Sequence, residues 1–452
     1  REEYTYDTYS RLTQKKITLP TKYNGQYEII SLTPRYDSLS RLLGVNGFAN
    51  TTYEYLAGAA SGTTTTLVSR YAYANNGTNG FSPISWQFTY DALGNILSVT
   101  DSSGRVTRYE YDLQSQLTKE VSPNGTWEYT YDTCGNLREK KHTTSGGVVD
   151  ETLVYSYDDS GDWKDLLLSV TRTKNGVTTS GSLSYDASGN PLTYFNGTNW
   201  SFTWRNGREL NSASGNGYSL NYSYDLNGLR TEKKVTKSGT TETHTYLYAS
   251  GQLLRESFVR NGKTYTLDFA YDLSGKPYFL LATVDGAISL YYFVTNLQGD
   301  VVRITNAQKE TLANYSYDAY GKLLSVTNAA GAAISDTSNI ALINPLRYRG
   351  YYYDSETELY YIGARYYDPL TSRWVSPEPN LDQGEFDKNA GFLAYNSYTY
   401  CANNPVSCAD PDGEGILLSL AIGFAVGALI SGVVKAVDNY QNDRPWYDGL
   451  AI

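Results

Sequence analysis

The stretch YDALGNIL, residues 90–97, recurs along the chain with small changes. Similar stretches begin at Tyr131, Tyr185, Tyr224, Tyr271 and Tyr317, and weaker copies begin at Tyr6, Tyr36, Trp204 and Tyr248. Between residues 90 and 185 the first tyrosine of each copy stands at 90, 111, 131, 157 and 185. Spacings of about 20 to 28 residues indicate a repeat architecture, so the unit is structural before it is chemical.

Each copy predicts a β-hairpin. In Phe88-Thr89-Tyr90 alternate side chains face opposite sides of a sheet. Asp91 can accept hydrogen bonds from nearby backbone N–H groups, and Gly94 suits a left-handed turn position. The alternating run 96–100 then returns the chain. Hairpins stacked side by side make one long antiparallel ribbon, which must twist and curl. The sequence therefore predicts an all-β, spiralling hairpin shell, in which the recurring Asp residues are turn residues.

Composition narrows the functional classes. The 452 residues include 45 Tyr and no Met, and the net charge is −10. That charge argues against nucleic acid as the main partner of the shell, because phosphate binding needs a basic face. His142 and His244 lie far apart and the three cysteines form no framework, so we expect no metal and no cofactor. The missing Met, even at residue 1, suggests a piece of a longer chain, and no signal stretch is visible.

The repeats and the motifs after them resemble Rhs/YD-repeat proteins with their Rhs-associated core domain, a family related to Tc toxin C subunits and teneurins. The resemblance rests on the motifs RYRGYYYD (347–354), LYYIGARYYDP (359–369), RWVSP (373–377), YTYCANNP (398–405) and DPDG (410–413). The resemblance implies a repeat shell over 1–343, a core domain or plug over 344–414, and the start of a toxin region over 415–452.

The resemblance also implies a function. Shells of this family enclose and deliver a C-terminal polymorphic toxin, so we expect a bacterial protein that is secreted or attached to the cell surface or wall. Its partners would be its own toxin segment and an immunity protein. The alternative class is an adhesive surface protein, in which Trp200, Phe202 and Trp204 stack on glycan rings. Ordinary sheet packing explains the same three aromatic residues.

An enzymatic role is a third alternative, because core domains of many relatives are aspartyl autoproteases that release the toxin. Carried over by motif, the family's arginine is Arg365 and its second aspartate is Asp410, while its first aspartate is replaced by Glu378. The chemistry needs two carboxyl groups that share one proton. The family has Leu where this chain has Glu414, next to the implied cut. Asp410 is equally well explained as a turn residue before Pro411.

Two further features stay open at this level. Cys401 and Cys408 are either two small buried hydrophobic residues or a disulfide across the Asn403-Asn404-Pro405 turn. Residues 416–434 are nineteen uncharged residues, enough for an apolar helix that just spans a bilayer. A stripe of small residues recurs on that helix at Ser419, Gly423, Gly427 and Ser431. The segment either contacts a membrane or is sheltered inside the shell.

Overall fold

The computed structural model describes residues 1–23, 25–76, 81–161, 163–379, 393 and 395–413. Within these residues almost all regular structure is antiparallel sheet, and within each sheet every strand pairs with its neighbours in the chain. The prediction of an all-β hairpin array is confirmed. The predicted helix over 416–434 lies outside the described residues. Of the residues described, none belongs to a helix long and apolar enough to cross a membrane.

Four sheets follow one another along the chain. The first has four strands: β1 (Glu2–Tyr6), β2 (Leu12–Tyr23), β3 (Gln26–Tyr36) and β4 (Leu42–Asn46). The second has eleven: β5 (Asn50–Ala57), β6 (Thr64–Ala74), β7 (Ile84–Tyr90), β8 (Ile96–Asp101), β9 (Val106–Tyr111), β10 (Leu117–Ser122), β11 (Gly125–Tyr131), β12 (Leu137–Thr144), β13 (Val149–Tyr157), β14 (Leu167–Lys174) and β15 (Val177–Ser182).

The third sheet has fourteen strands: β16 (Ser184–Tyr185), β17 (Pro191–Phe195), β18 (Asn199–Arg205), β19 (Glu209–Gly215), β20 (Tyr218–Tyr224), β21 (Arg230–Lys237), β22 (Thr240–Ala249), β23 (Gln252–Arg260), β24 (Lys263–Tyr271), β25 (Pro277–Val284), β26 (Ala287–Thr295), β27 (Val301–Asn306), β28 (Thr311–Tyr317) and β29 (Leu323–Thr327). After helix α1 (Ile340–Ile343) and a 3₁₀ turn (Tyr348–Gly350), the last sheet holds β30 (Tyr352–Asp354), β31 (Leu359–Ile362), β32 (Arg365–Asp368) and β33 (Arg373–Trp374). A second 3₁₀ turn covers Cys401–Asn403.

The repeated turn is built by its aspartate, as the sequence predicts. The N–H of Asp91 donates to the Asn95 carbonyl at 3.0 Å, and the Gly94 N–H donates back to the Asp91 carbonyl at 3.2 Å. The Asp91 carboxylate accepts from the N–H groups of Leu93 and Asn95 at 2.9 and 2.8 Å. Gly94 has φ +87°, the left-handed conformation that favours glycine. All four bonds lie within five residues, so the turn is locally encoded.

The repeated tyrosine has a second role that the sequence did not reveal. Its hydroxyl donates to a backbone carbonyl on the preceding strand, so each unit is tied to the unit before it. The pairs include Tyr111 with Ile96 (2.8 Å), Tyr131 with Leu117 (2.8 Å) and Tyr224 with Leu210 (2.9 Å). A buried hydroxyl needs such a partner, which explains why the position holds Tyr rather than Phe.

The ribbon curls until strands far apart in sequence meet. The Lys15 ammonium of β2 donates to the Tyr271 carbonyl of β24 at 3.2 Å. The N–H of Phe48, between β4 and β5, donates to the Tyr278 hydroxyl of β25 at 2.7 Å. These contacts span more than 200 residues. The first sheet therefore packs against the third, as expected for a long twisted sheet that closes on itself.

The described residues between 344 and 413, which we call the plug, pack against the curled sheets of β1–β29, which we call the wall. Leu359, Tyr360 and Tyr367 are fully buried and share one hydrophobic cluster with wall residues. Plug side chains donate to the carbonyl oxygens of glycines in the repeated turns: Asn403 to Gly135 (2.8 Å), Tyr398 to Gly189 (2.6 Å) and Tyr360 to Gly321 (2.9 Å). Turns from widely separated repeats thus meet around one plug.

Candidate functional site

Arg365 in β32 contacts the other two residues that the sequence selected, Glu378 and Asp410. One guanidinium nitrogen lies 2.8 Å from a Glu378 oxygen and 3.1 Å from an Asp410 oxygen. Arg365 and Asp410 are almost fully buried, and the Glu378 side chain keeps 22% of its exposure. The fold therefore brings these side chains together although 45 residues separate Arg365 from Asp410. We call this group the Arg365 cluster.

Neighbouring groups hold the cluster in place. The Arg365 guanidinium lies over the Trp374 ring, 3.9 Å from its centroid. The Glu378 N–H donates to the Ser397 carbonyl at 2.9 Å, and the Tyr351 hydroxyl donates to the Asp410 carbonyl at 2.6 Å. Stacking on an aromatic face suits arginine, whose flat guanidinium is weakly hydrated. The positions of the two carboxylates are thus set by backbone contacts on both sides.

The cluster also holds the end of the described chain. The Gly413 N–H donates to the Asp410 carboxylate at 2.8 Å, and the Gly413 carbonyl accepts from Arg365 Nε at 2.6 Å. Asp410 is therefore a turn residue and an ion-pair partner at the same time. The guanidinium offsets the repulsion between the two carboxylates and polarises the carbonyl of the peptide bond that leads to Glu414. Two carboxyl groups that share one proton are the groups that an aspartic-type hydrolysis of a peptide bond uses.

A second charged group, missed by the sequence analysis, joins the wall to the plug. Asp354 of β30 lies 2.5 Å from Arg230 and 2.8 Å from Lys233, both in β21. Lys233 also lies 2.9 Å from Glu356. Burial raises the pKa of Asp354, but Arg230 and Lys233 outweigh it and hold that pKa below its usual range. We call these four residues the seam cluster.

The seam cluster gives no clear signal in a single sequence. Arg230 and Lys233 stand in a strand among other charged residues, and only their burial distinguishes them. The Arg230 guanidinium lies within 6.0 Å of the centroids of five tyrosine rings: Tyr222, Tyr246, Tyr352, Tyr361 and Tyr366. The wall thus inserts one cation into a tyrosine cage, three of whose rings belong to the plug.

The comparison with protein families decides the identity of this fold. Residues 78–406 match the teneurin YD-shell family. The chain belongs to that family. The tRNA3(Ser)-specific nuclease WapA of Bacillus spizizenii is 31% identical over 351 residues, 75% of this YD shell and 11% of that protein. Human teneurin-4 is 24% identical, with 91% of this chain and 12% of the teneurin covered.

One further relative is a toxin by name, and one solved structure shares the fold of this YD shell. The double-stranded DNA deaminase toxin A of Burkholderia cenocepacia is 25% identical over 75% of this chain and 22% of the toxin. The solved structure of TcdB2-TccC3-Cdc42 matches with TM-score 0.51 and 16% identity, over 92% of this chain and 23% of that one. A structural likeness at this identity shows the fold alone. The YD shell spans about a tenth to a quarter of these proteins.

The aromatic residues considered for glycan stacking do not form an exposed platform in this YD shell. Trp200 and Phe202 each retain 3% of their exposure. The Trp204 indole N–H donates to the Pro191 carbonyl at 2.6 Å, in place of the tyrosine hydroxyl bond of other units. Sheet packing, the alternative given by the sequence, accounts for all three. The adhesion hypothesis therefore loses the residues on which it rested.

Packing and hydrogen bonds account for Cys401, Cys408 and His142 of the YD shell. Cys401 and Cys408 are buried as free thiols, so the packing interpretation holds and the disulfide does not. His142 pairs with Asp150 at 2.5 Å and lies 4.6 Å from the Trp127 ring. In the part of the chain that the structure describes, no three His, Cys, Asp or Glu residues are arranged to hold a metal ion.

Proposed function

We propose that this YD shell encloses and delivers a toxin segment that follows the plug, in competition between bacteria. In this proposal residues 1–343 form the wall, 344–414 the plug, and 415–452 the first part of the cargo. The cargo segment itself, and an immunity protein in the producing cell, are the proposed partners. The whole protein is proposed to be secreted or held at the bacterial surface.

One observation carries the proposal. Repeated turns at Gly135, Gly189 and Gly321 bind the plug, and Gly413, the last described residue, is held by the Arg365 cluster. The point at which the proposed cargo would begin is therefore next to buried groups of the plug, since Arg365 and Asp410 are almost fully buried. Relatives whose names include a nuclease and a deaminase toxin share this shell, which supports a common carrier role for it.

Protease protection tests the enclosure. A cleavage site for a specific protease is inserted after Lys435, and a matched control site is inserted between Ala330 and Gly331, in an exposed turn. We expect the control site to be cut in the native chain and the Lys435 site to be cut only after unfolding in urea. Equal cutting of both sites in the native chain would show that the segment lies outside the shell, and would refute enclosure.

We also propose, as a second function, that the Arg365 cluster hydrolyses the chain near Glu414. The supporting observation is that Arg365 contacts Glu378, Asp410 and the Gly413 carbonyl together. Hydrolysis consumes one water, whose oxygen bonds to the carbonyl carbon while the C–N bond breaks. One carboxylate accepts the proton of the water, and the other carboxyl group, which is protonated, donates its proton to the leaving amide nitrogen. Glu378 is one methylene longer than the aspartate of the family, so we expect slow cleavage.

Mass spectrometry of the purified chain tests the second function. The fragment cut near Glu414 should accumulate over days at mildly acidic pH in the natural sequence and be absent in E378Q. E356Q removes a different plug carboxylate, which pairs with Lys233, and serves as the matched control that should still be cut. A natural sequence that stays intact, or an E378Q variant cut at the same rate, would exclude the reaction.

A further inference from the structure

A cleft separates part of the wall from the plug beside the seam cluster. The cleft is narrow, with a volume of about 30 Å³, room for little more than a water molecule. The residues that line it and matter here are Lys233, His244, Glu256, Arg260, Tyr352 and Glu356. His244 in β22 is 3% exposed, so its ring forms part of the buried end of this cleft. None of these residues belongs to the Arg365 cluster.

Both ring nitrogens of His244 face carboxylates. Nδ1 lies 2.6 Å from a Glu256 oxygen, and Nε2 lies 2.6 Å from a Glu242 oxygen. An ionised carboxylate only accepts hydrogen bonds, while a neutral imidazole has a single N–H to donate. Both contacts are therefore satisfied together only when the ring carries two protons and a positive charge. The ring also stacks on Phe258, with centroids 4.5 Å apart.

One of these two carboxylates, Glu256, also binds the plug. The Glu256 oxygen that accepts from His244 also accepts from the Tyr352 hydroxyl of β30 at 2.7 Å. The Tyr352 hydroxyl lies 3.1 Å from the Tyr246 hydroxyl of the wall. One carboxylate thus connects the histidine of the wall to the first strand of the plug. Loss of the proton from His244 would leave Glu256 or Glu242 without its short hydrogen bond in a buried site.

Charges on every neighbouring element act on His244. Its own strand supplies Glu242, which Arg260 of β23 also binds, and β23 supplies Glu256. The cation Lys233 of β21 opposes the charge on the ring, and Glu356 of the plug partly neutralises Lys233. Burial also opposes that charge, but the two carboxylates outweigh burial and Lys233, so the pKa of His244 is raised above 6.5.

We propose that His244 is a pH-sensitive contact between the wall and the plug. Its charged ring holds the plug to the wall in acidic and neutral solution, and loss of the proton weakens this contact in alkaline solution. A group whose pKa is raised in the folded state stabilises that state fully below its unfolded pKa, about 6.5. This stabilisation disappears as the pH rises through the folded-state value. Mild acid does not weaken the contact in the same way, because Glu242 has a pKa of about 2 and stays ionised. The contact between the plug and the wall is therefore most stable in mild acid.

Hydrogen exchange of the whole 452-residue chain tests this role of His244. We compare a peptide covering 352–354 at about pH 6 and about pH 9, after correction for the intrinsic exchange rate. Protection should fall by about tenfold for each unit by which the folded-state pKa exceeds the unfolded one. H244Q should show low protection at both values, because Gln keeps one donor and no charge. H142Q changes the other histidine, which pairs with Asp150 of the wall, and should behave like the natural sequence.

A second measurement does not depend on a foldable variant. Nitrogen NMR of histidine-labelled chain reports the protonation state of each ring directly, and H142Q assigns the remaining signal because the chain has two histidines. We expect the charged form of His244 at neutral pH. A neutral ring at that pH would overturn the proposal. So would equal protection of residues 352–354 at both pH values, or the same pH dependence in H244Q.

Discussion

Replacement of Asp354 by Asn should destabilise the protein more than replacement of Arg230 by Met. Asp354 is fully buried between Arg230 and Lys233, at 2.5 and 2.8 Å. D354N keeps the shape of the side chain but leaves two buried cations, of which only Lys233 retains an acidic partner, Glu356. Removal of one member of a buried ion pair costs about 3–5 kcal/mol, and two cations left together place D354N at the upper end.

R230M should cost less because it leaves a compensated site. Asp354 keeps Lys233 at 2.8 Å, and methionine retains apolar and sulfur contacts with the tyrosine cage. We therefore expect a loss of about 3 kcal/mol, the lower end of the range. The double variant removes both charges of the Arg230–Asp354 pair and leaves Lys233 balanced by Glu356. Its cost should be smaller than the sum of the single costs by at least about 1 kcal/mol.

Urea unfolding followed by tryptophan fluorescence measures the three free energies of unfolding. Trp374 reports on the plug, since it is buried in that unit. A control cycle uses the exposed cross-strand pair Lys141 and Glu128, at 2.8 Å, whose coupling should stay below about 1 kcal/mol. Costs that add to within about 0.5 kcal/mol, or an R230M cost above that of D354N, would refute the argument that charge compensation holds the seam.

Three further predictions concern the wall. Burial, and then the nearby Asp318, raise the pKa of Glu120 from 4.5 to about 8, so its burial in the neutral form favours folding in acid and this advantage is lost as the pH rises to about 8. E120Q should therefore flatten the pH dependence of urea stability over that interval, and an unchanged slope would contradict the assignment. Y111F removes a half-buried hydroxyl bond to Ile96 and should cost about 1 kcal/mol in urea unfolding, whereas Y9F, at an 80% exposed ring, should cost nothing measurable. At Gly321 a Cβ would meet the Tyr348 ring at 2.4 Å, while at Gly331, with nearly the same φ, it would meet nothing. G321A should thus lower the thermal midpoint well beyond the decrease for G331A, which carries only the backbone cost of about 1–2 kcal/mol, and equal decreases would exclude the steric argument.

The proposed site was only partly accessible from the sequence. Motif resemblance selected Arg365, Glu378 and Asp410, and the fold places all three around one guanidinium. Whether they cleave the chain stays a prediction. The seam cluster and His244 were not selected, because charged residues in an exposed-looking wall strand give no sign that they face the plug. For the same reason the burial of Trp200 and Phe202 could not be distinguished from an exposed glycan platform.

The sequence by itself determined the repeating hairpin, because every bond of the Asp91 turn lies within five residues. Such short-range hydrogen bonds depend on residue type and spacing alone. Only the tertiary structure decided which repeats meet the plug and which side chains meet each other there. The contact between Arg230 and Asp354 joins residues 124 positions apart. Strand alternation predicts that a side chain faces inward, but the partner it meets depends on how far the whole ribbon curls.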